Sequence, residues 1–326
     1  MSGFKGTLLR ILISFGAIAW IVYAMRGEIK DAVQIMRTDV IWSWFFLSFA
    51  IYIIANVIIG IRMRFIFQSQ GIFFSYGQGI YLALLGLFFN LFLPSAVGGD
   101  IAKVYYSYKH TGKKIESMSA VLQDRLMGFF VLMSIGFAAL LFLSTEFSNP
   151  KVTYTIYTFV GIMFFAIFFL FSKRFAKNFK FLAVFIPTER LKTRLRELYH
   201  AIYELKNHRK IFAGALGLSL LAQTLFVISH YLLAVALSVD MSFWLFFLII
   251  PVVAIVSMAP SVGGLGVREA GLIFFLKVYM PDERALVFSI LLDMVIYGLS
   301  LLCGAVYALK GGLRPKIIHE MESIET

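Results

Sequence analysis

The chain is poor in charge. Only 15% of its 326 residues are Asp, Glu, Lys or Arg, whereas 60% are hydrophobic and 35 are phenylalanine. A soluble domain of this length has too little interior to hide that much apolar surface, which excludes a water-soluble fold and leaves a polytopic membrane protein. A single cysteine, Cys303, lies in an apolar stretch and excludes a disulfide framework or a thiolate metal site. Histidine is sparse as well, and His110, His200, His208, His230 and His319 fall at no metal-ligand spacing. Also lacking are a Gly-rich loop ending in Lys-Ser or Lys-Thr, a serine nucleophile elbow and a dinucleotide fingerprint. ATP hydrolysis within the chain is therefore unsupported, and no cofactor is implied. Acidic groups are outnumbered 18 to 30 by Lys and Arg. In a membrane protein that excess reflects cytoplasmic loops and anionic headgroups, so no nucleic-acid partner is expected.

What the chain has is apolar tracts. A bilayer core needs about 20 apolar residues per helix, and after a first apolar run from Ile11 to Met25 that length scale picks out further tracts near 41–60, 118–143, 154–172, 211–237 and 285–309. Lys5 and Arg10 ahead of the first tract imitate a signal peptide, but no small-residue cleavage site follows, so it reads as a retained span. Two further tracts, 77–93 and 243–258, are short. Each runs into a Pro-Ser-Gly-Gly element, Leu93-Pro94-Ser95-Ala96-Val97-Gly98-Gly99-Asp100 in one case and Ala259-Pro260-Ser261-Val262-Gly263-Gly264 in the other.

Residues 173–210 carry 11 Lys or Arg and are too charged to cross. The positive-inside rule places them in the cytoplasm. Two topologies then compete: eight spans with both termini outside, or six spans plus two re-entrant helical hairpins with both termini inside. Charge counting barely separates them. The second is the expected one, because it explains the interruptions and keeps Lys5, Arg10, Lys310, Arg314 and Lys316 cytoplasmic.

Under that topology the 1–326 membrane domain contains a repeat. Residues 41–143 form the first copy, 144–210 a connecting span and basic segment, and 211–309 the second copy, at an offset of about 166–170 residues. The stretch VLQDRLMGFF from Val121 aligns with ILLDMVIYGL from Ile290. The halves are expected to be inverted, with oppositely oriented hairpins, as in alternating-access transporters. In the basic segment Leu191, Leu195 and Leu198 form a helical stripe among basic residues, suited to the anionic leaflet or to a topology-setting linker. Trp20, Trp42, Trp44 and Trp244 fall near span ends, as in interfacial belts.

Irregular backbone at membrane depth must line a cavity or be covered by protein. The alternative is a loop at the membrane surface, where Pro, Ser and Gly are ordinary. If Gly99 or Asp100 starts the returning half-helix, its N–H groups favour an anion such as a phosphate. Ionisable groups inside a bilayer face a partner or a wet cavity, and Asp100, Lys103, Asp124, Arg125, Arg268, Glu269 and Asp293 are the candidates. Arg125 can offer a bidentate fork to phosphate. Asp100 and Arg268 are expected to pair across the halves, and Arg268 and Glu269, being adjacent, each to find a partner elsewhere. The alternative is that these charges are structural ion pairs or wet helix ends.

These residues carry a resemblance. Asn90-x-x-Leu93-Pro94-Ser95-x-x-Gly98-Gly99-Asp100, then Asp124-Arg125-Leu126-x-Gly128, then Pro260-Ser261-x-Gly263-Gly264-Leu265-Gly266-Val267-Arg268-Glu269 resemble the lysylphosphatidylglycerol synthase transmembrane (flippase-like) family over nearly the entire chain. The resemblance implies a lipid translocase moving a phospholipid, aminoacylated phospholipid or lipid-linked sugar between leaflets of a bacterial or archaeal cytoplasmic membrane. The candidate headgroup site is Gly98, Gly99 and Arg125 helped by Lys103 and Arg268, together with Asn90, Ser95, Asp100, Asp124, Ser261, Gly263, Gly264 and Glu269. Lys103 stands where the family often has arginine, and an arginine common in the last span is replaced near Asp293-Met294. Synthesis in that family resides in an additional soluble domain, for which the roughly 17 residues between the last span and Thr326 leave no room, so a transporter rather than an enzyme is expected. Two other readings stay open: a membrane-embedded lipid or glycolipid transferase with Asp100 as general base, and a scaffold subunit of a lipid-modifying complex. Partners are membrane lipids, with a lipid-synthesising enzyme and self-association left open.

Overall fold

A computed structural model describes residues 15–16, 18–23, 25–27, 29–92, 98–142, 158, 161, 209–258, 261 and 264–309. Most of the expected span at 154–172 and the basic amphipathic stripe lie outside them, as do residues 11–14, 17 and 24 of the expected span at 11–25. Among the described residues the architecture is all-helical, in the order α1 (Ile29–Thr38), α2 (Trp42–Ser69), α3 (Tyr76–Phe92), α4 (Gly98–Thr111), α5 (Lys114–Phe142), α6 (Arg209–Ala236), α7 (Phe243–Val256), α8 (Val267–Leu276) and α9 (Asp282–Leu309).

Length separates these helices into two kinds. At 1.5 Å per residue, α2, α5, α6 and α9, with 28 or 29 residues each, are about 42 Å long and outreach the roughly 30 Å hydrocarbon core. They are apolar enough to cross a membrane. The 17 residues of α3 and the 14 of α7 are apolar but short. This is a multi-pass membrane protein. Helix α1 was not anticipated by the tract search, because only one of its faces is apolar: Ala32, Ile35 and Met36 pack onto the core while Val33 and its polar residues are exposed.

At the centre α2 and α6 run antiparallel along most of their length. The Ile41 N–H donates to the Ala236 carbonyl at one end, Ser48 and Ser229 bond through their hydroxyls at 2.9 Å, and the Tyr52 and Phe226 rings touch further along. Hydroxyls satisfied across two helices are a common adhesive where lipid supplies no hydrophobic drive for association.

Helices α3 and α4 fold back on each other. Gly99 sits against Asn90, the Lys103 stem over Gly86, and His110 against Gln78, so positions climb α4 as they descend α3. Helices α7 and α8 also pack together. The turn into α8 uses Gly264 and Gly266 at φ +84° and +82°, a left-handed region that glycine enters without a Cβ penalty.

Each hairpin is held by a long helix from the other part of the chain. Gly136 of α5 lies against Pro251 of α7, where an added Cβ would stand 3.0 Å from the proline ring. Gly304 of α9 lies against Phe88 of α3, where a Cβ would meet the ring at 2.2 Å. These two glycines are 168 positions apart.

Candidate functional site

A cavity of about 270 Å³ opens where the two hairpins meet the long helices. Arg125 from α5 and Arg268 from α8 both line it, with Asn90, Tyr52, Phe129 and Tyr297 among its other walls. Each arginine is held by an ion pair. Arg125 Nη1 donates to Asp100 Oδ2 at 2.5 Å, and Lys103 Nζ donates to the other oxygen of Asp100 at 3.1 Å. Arg268 Nη2 donates to Asp293, to Glu269 Oε1 at 2.8 Å and to the Tyr297 hydroxyl at 3.1 Å. Its Nε also reaches Glu269 Oε1, at 3.1 Å.

The two clusters share one geometry with the signs exchanged. Asp100 and Arg125 are 25 residues apart, as are Arg268 and Asp293. In the first cluster the acid is on the short helix and the base on the long one; in the second the order is reversed. Asp100 and Arg268 stand 168 positions apart, as do Arg125 and Asp293, and Phe129 and Tyr297 on the cavity wall.

Several expectations are corrected by this arrangement. Asp100 pairs with Lys103 and Arg125 rather than across the cavity with Arg268. Arg268 and Glu269 do bond although adjacent, because Arg268 is only the second residue of α8 and its long side chain bends over the helix start. The Glu269 carboxylate also accepts from the Gly266 N–H and so caps the helix.

Asp124 points away from the cavity. Its carboxylate accepts from Arg62 Nε at 2.8 Å, and Arg62 Nη1 donates to the Ser219 hydroxyl at 3.0 Å. Gly128 clears the space for that guanidinium, since a Cβ there would lie 3.3 Å from Arg62 Nη1. The Asp124-Arg125-Leu126-x-Gly128 motif thus has two duties: Asp124 and Gly128 anchor α5 to α2, and Arg125 faces the cavity.

Gly98 and Gly99 are buried at the start of α4. The Gly99 N–H donates to Asn90 Oδ1 at 2.7 Å, and a Cβ at Gly99 would come within 2.1 Å of the Gly86 carbonyl oxygen. The close approach this glycine permits is therefore that of helix α3. Gly264 lines the cavity and Ser261 is buried beside it in the chain. Ser95 and Gly263, with Pro94 and Pro260, lie outside the described residues.

Sequence reasoning did not assign a role to Tyr52, Phe129, Tyr297 or Arg62. The first three lie inside apolar tracts with nothing to set them apart from other aromatics, and Arg62 lies just past the tract at 41–60. Asp293 was aligned with Asp124 by the shared aspartate, yet its geometry matches Arg125, one residue on. One position turns a helix by about 100°, enough to move a side chain from a helix interface to a cavity.

A comparison with protein families matches residues 7–304 to the lysylphosphatidylglycerol synthase TM region. The chain belongs to that family. In this member of the lysylphosphatidylglycerol synthase TM-region family, described residues from all three motifs that carried the resemblance, among them Asn90, Gly99, Arg125, Gly128, Gly264 and Arg268, line one cavity or make the helix contacts that frame it. No curated protein matches the chain.

Proposed function

We propose that the protein is a membrane lipid translocase. Its two halves form an inverted repeat with re-entrant hairpins that enter from opposite faces, and both termini are cytoplasmic in a bacterial or archaeal membrane. The observation that carries this reading is a single cavity lined by one arginine from each part of the chain, each arginine locked to an acid 25 residues away with the signs exchanged. An inverted repeat with a central site between broken helices is how alternating access is built. The antiparallel packing of α2 on α6 fits the same symmetry, because two equivalent helices related by an axis in the membrane plane must run in opposite directions.

In this mechanism a lipid headgroup enters the cavity between the hairpins while its acyl chains stay in lipid. Its phosphate competes with Asp100 for Arg125, whose planar fork suits two oxygens. Release of Asp100 loosens the contact between α4 and α5, and the cavity opens toward the other leaflet. Asp100 is engaged by both Lys103 and Arg125, which weighs against a general-base role in a transferase.

Reconstitution in liposomes carrying a fluorescent phospholipid tests this by following loss of inner-leaflet protection from a membrane-impermeant quencher. The expected result is protein-dependent exchange that falls at least tenfold in Arg125→Ala and Arg268→Ala proteins of unchanged melting temperature. Normal exchange in both variants would overturn the site. A covalent lipid product formed in detergent, without a second leaflet, would favour the transferase reading.

A further inference from the structure

Four uncharged polar residues on the cavity wall, Asn90, Ser257, Tyr297 and Ser300, are already fixed as donors or acceptors. The Asn90 side-chain oxygen accepts the Gly99 N–H at 2.7 Å, which sets the orientation of the amide and turns its nitrogen the other way. Among the described residues Asn90 Nδ2 has no protein partner, and it is not one of the buried atoms left unbonded, so it is a donor open to the cavity. The Tyr297 oxygen accepts from Arg268 Nη2 at 3.1 Å, which leaves its own proton to donate. The two serines are opposite in kind. Their single protons go to the Val253 and Ile296 carbonyls, at 2.7 Å for Ser257 and 2.8 Å for Ser300, so each offers the cavity only lone pairs.

From this we infer that the cavity reads hydroxyl groups, and selects a headgroup whose phosphate carries a polyol, glycerol or a sugar, over one of the same charge that has no hydroxyls. The inference rests on the reading of this cavity as the headgroup site. A hydroxyl donates and accepts at one atom. Headgroup hydroxyls can therefore accept from Asn90 and Tyr297 and donate to Ser257 and Ser300. An ammonium only donates, which leaves Asn90 and Tyr297 unanswered, and an alkyl group answers none of the four. A polar group stripped of water without a new partner is penalised, so a site built to bond a hydroxyl rejects the analogue that lacks it.

Three further features agree. Asn90 stands on α3, Ser257 at the end of α7, and Tyr297 and Ser300 on α9, so a headgroup that satisfies both kinds of group engages both parts of the chain at once. The polar positions also have apolar counterparts 168 residues away on the same wall, Met258 for Asn90 and Phe129 for Tyr297. The hydrogen-bonding set is thus particular to these positions and is not copied in both parts. The volume, about 270 Å³, is at the small end of ligand sites, which suits a glycerol or a single sugar whose acyl chains remain outside.

The test is competitive binding to the purified protein in detergent, read by native mass spectrometry with equimolar dihexanoyl phosphatidylglycerol and dihexanoyl phosphatidylpropanol. These lipids share one phosphodiester charge and a three-carbon headgroup, and differ only in hydroxyls. Wild type should favour phosphatidylglycerol by about tenfold or more. Asn90→Ala, and separately Ser257→Ala combined with Ser300→Ala, should each bring the ratio to within about threefold. Folding is followed by melting temperature and gel filtration. The serine pair preserves the test if loss of the Gly99 bond makes Asn90→Ala unstable, because each serine bonds only its own chain segment and alanine keeps a helix. Equal binding of the two lipids by wild type, or a ratio untouched in folded variants, would overturn the inference. A soluble polyol phosphate is separated from a lipid by adding glycerol 3-phosphate, which should not displace phosphatidylglycerol at equal concentration. Displacement would keep the hydroxyl readout and overturn the lipid translocase. Equal exchange of both lipids in liposomes, with no preference in binding, overturns this inference and leaves the translocase. Selective binding without any exchange overturns the translocase alone.

Discussion

Arg62 and Asp124 meet at 2.8 Å between α2 and α5, with 4% and 6% of their side chains exposed. Ser219 of α6 accepts a further bond from Arg62, so one guanidinium ties three long helices together. Removing one partner of a buried pair leaves an uncompensated charge and costs about 3–5 kcal/mol, whereas replacing both with apolar groups is often close to neutral. Arg62→Met and Asp124→Leu should each lower the melting temperature in detergent sharply, and the double variant should recover most of the loss. Single variants as stable as wild type would show that the pair does not hold the bundle.

The contact of α4 with α3 predicts an asymmetry between two glycines on the same hairpin. A Cβ at Gly99 would overlap the Gly86 carbonyl, while one at Gly77 meets nothing within 4 Å. Gly99→Ala should destabilise by about 1–3 kcal/mol through overpacking. Gly77→Ala should be neutral or stabilise by up to about 1 kcal/mol, as alanine does in a helix. Thermal unfolding of the two proteins side by side decides it, and equal midpoints would refute the packing argument.

The α2–α6 pair predicts a place where cross-linking is harmless. With the Ser48 and Ser229 hydroxyls 2.9 Å apart, Ser48→Cys with Ser229→Cys in a Cys303→Ser background should oxidise to a disulfide readily. If the translocase moves its hairpins about this central pair, the oxidised protein should exchange lipid within twofold of the reduced one. Complete arrest on oxidation would mean that α2 and α6 slide on each other during transport.

The Arg268 site predicts that charge alone is insufficient. Arg268 uses Nε and Nη2 to reach Glu269, Asp293 and Tyr297, and a lysine ammonium has no fork to reproduce that set. Arg268→Lys should lose about 1–2 kcal/mol of stability, in line with charge-assisted hydrogen bonds, and slow exchange several-fold. A lysine protein indistinguishable from wild type would reduce Arg268 to a point charge.

Much of this fold was legible in the sequence because lipid imposes its own length scale. The tracts near 41–60, 118–143, 211–237 and 285–309 became α2, α5, α6 and α9, and the two short tracts became α3 and α7. The least legible boundary was the end of α2, which runs on to Ser69 through Arg62, Arg64 and Gln68. Those residues look like an exit into water, because the acid that neutralises Arg62 lies 62 residues later. Arg125 and Arg268 were singled out as charges too costly to leave unpaired in lipid, and both line the cavity. The partner expected for Arg268 was Asp100 and the one found is Asp293, because pairing depends on helix rotation. The shared aspartates of VLQDRLMGFF and ILLDMVIYGL favoured a register one residue away from the geometric one.

The contacts of Gly136 on Pro251 and Gly304 on Phe88 have a mechanical consequence. Where backbone and ring touch with no intervening side chain, two helices are coupled as one lever. Helix α5 is thereby geared to α7, and α9 to α3, each across the boundary between the proposed copies. In the proposed translocase, the bodies that swing would not be the two stretches of sequence. Each is assembled from both, and a pull on either hairpin is transmitted through a glycine to the long helix that carries Arg125 or Asp293, the charged residue on the opposite side of the cavity.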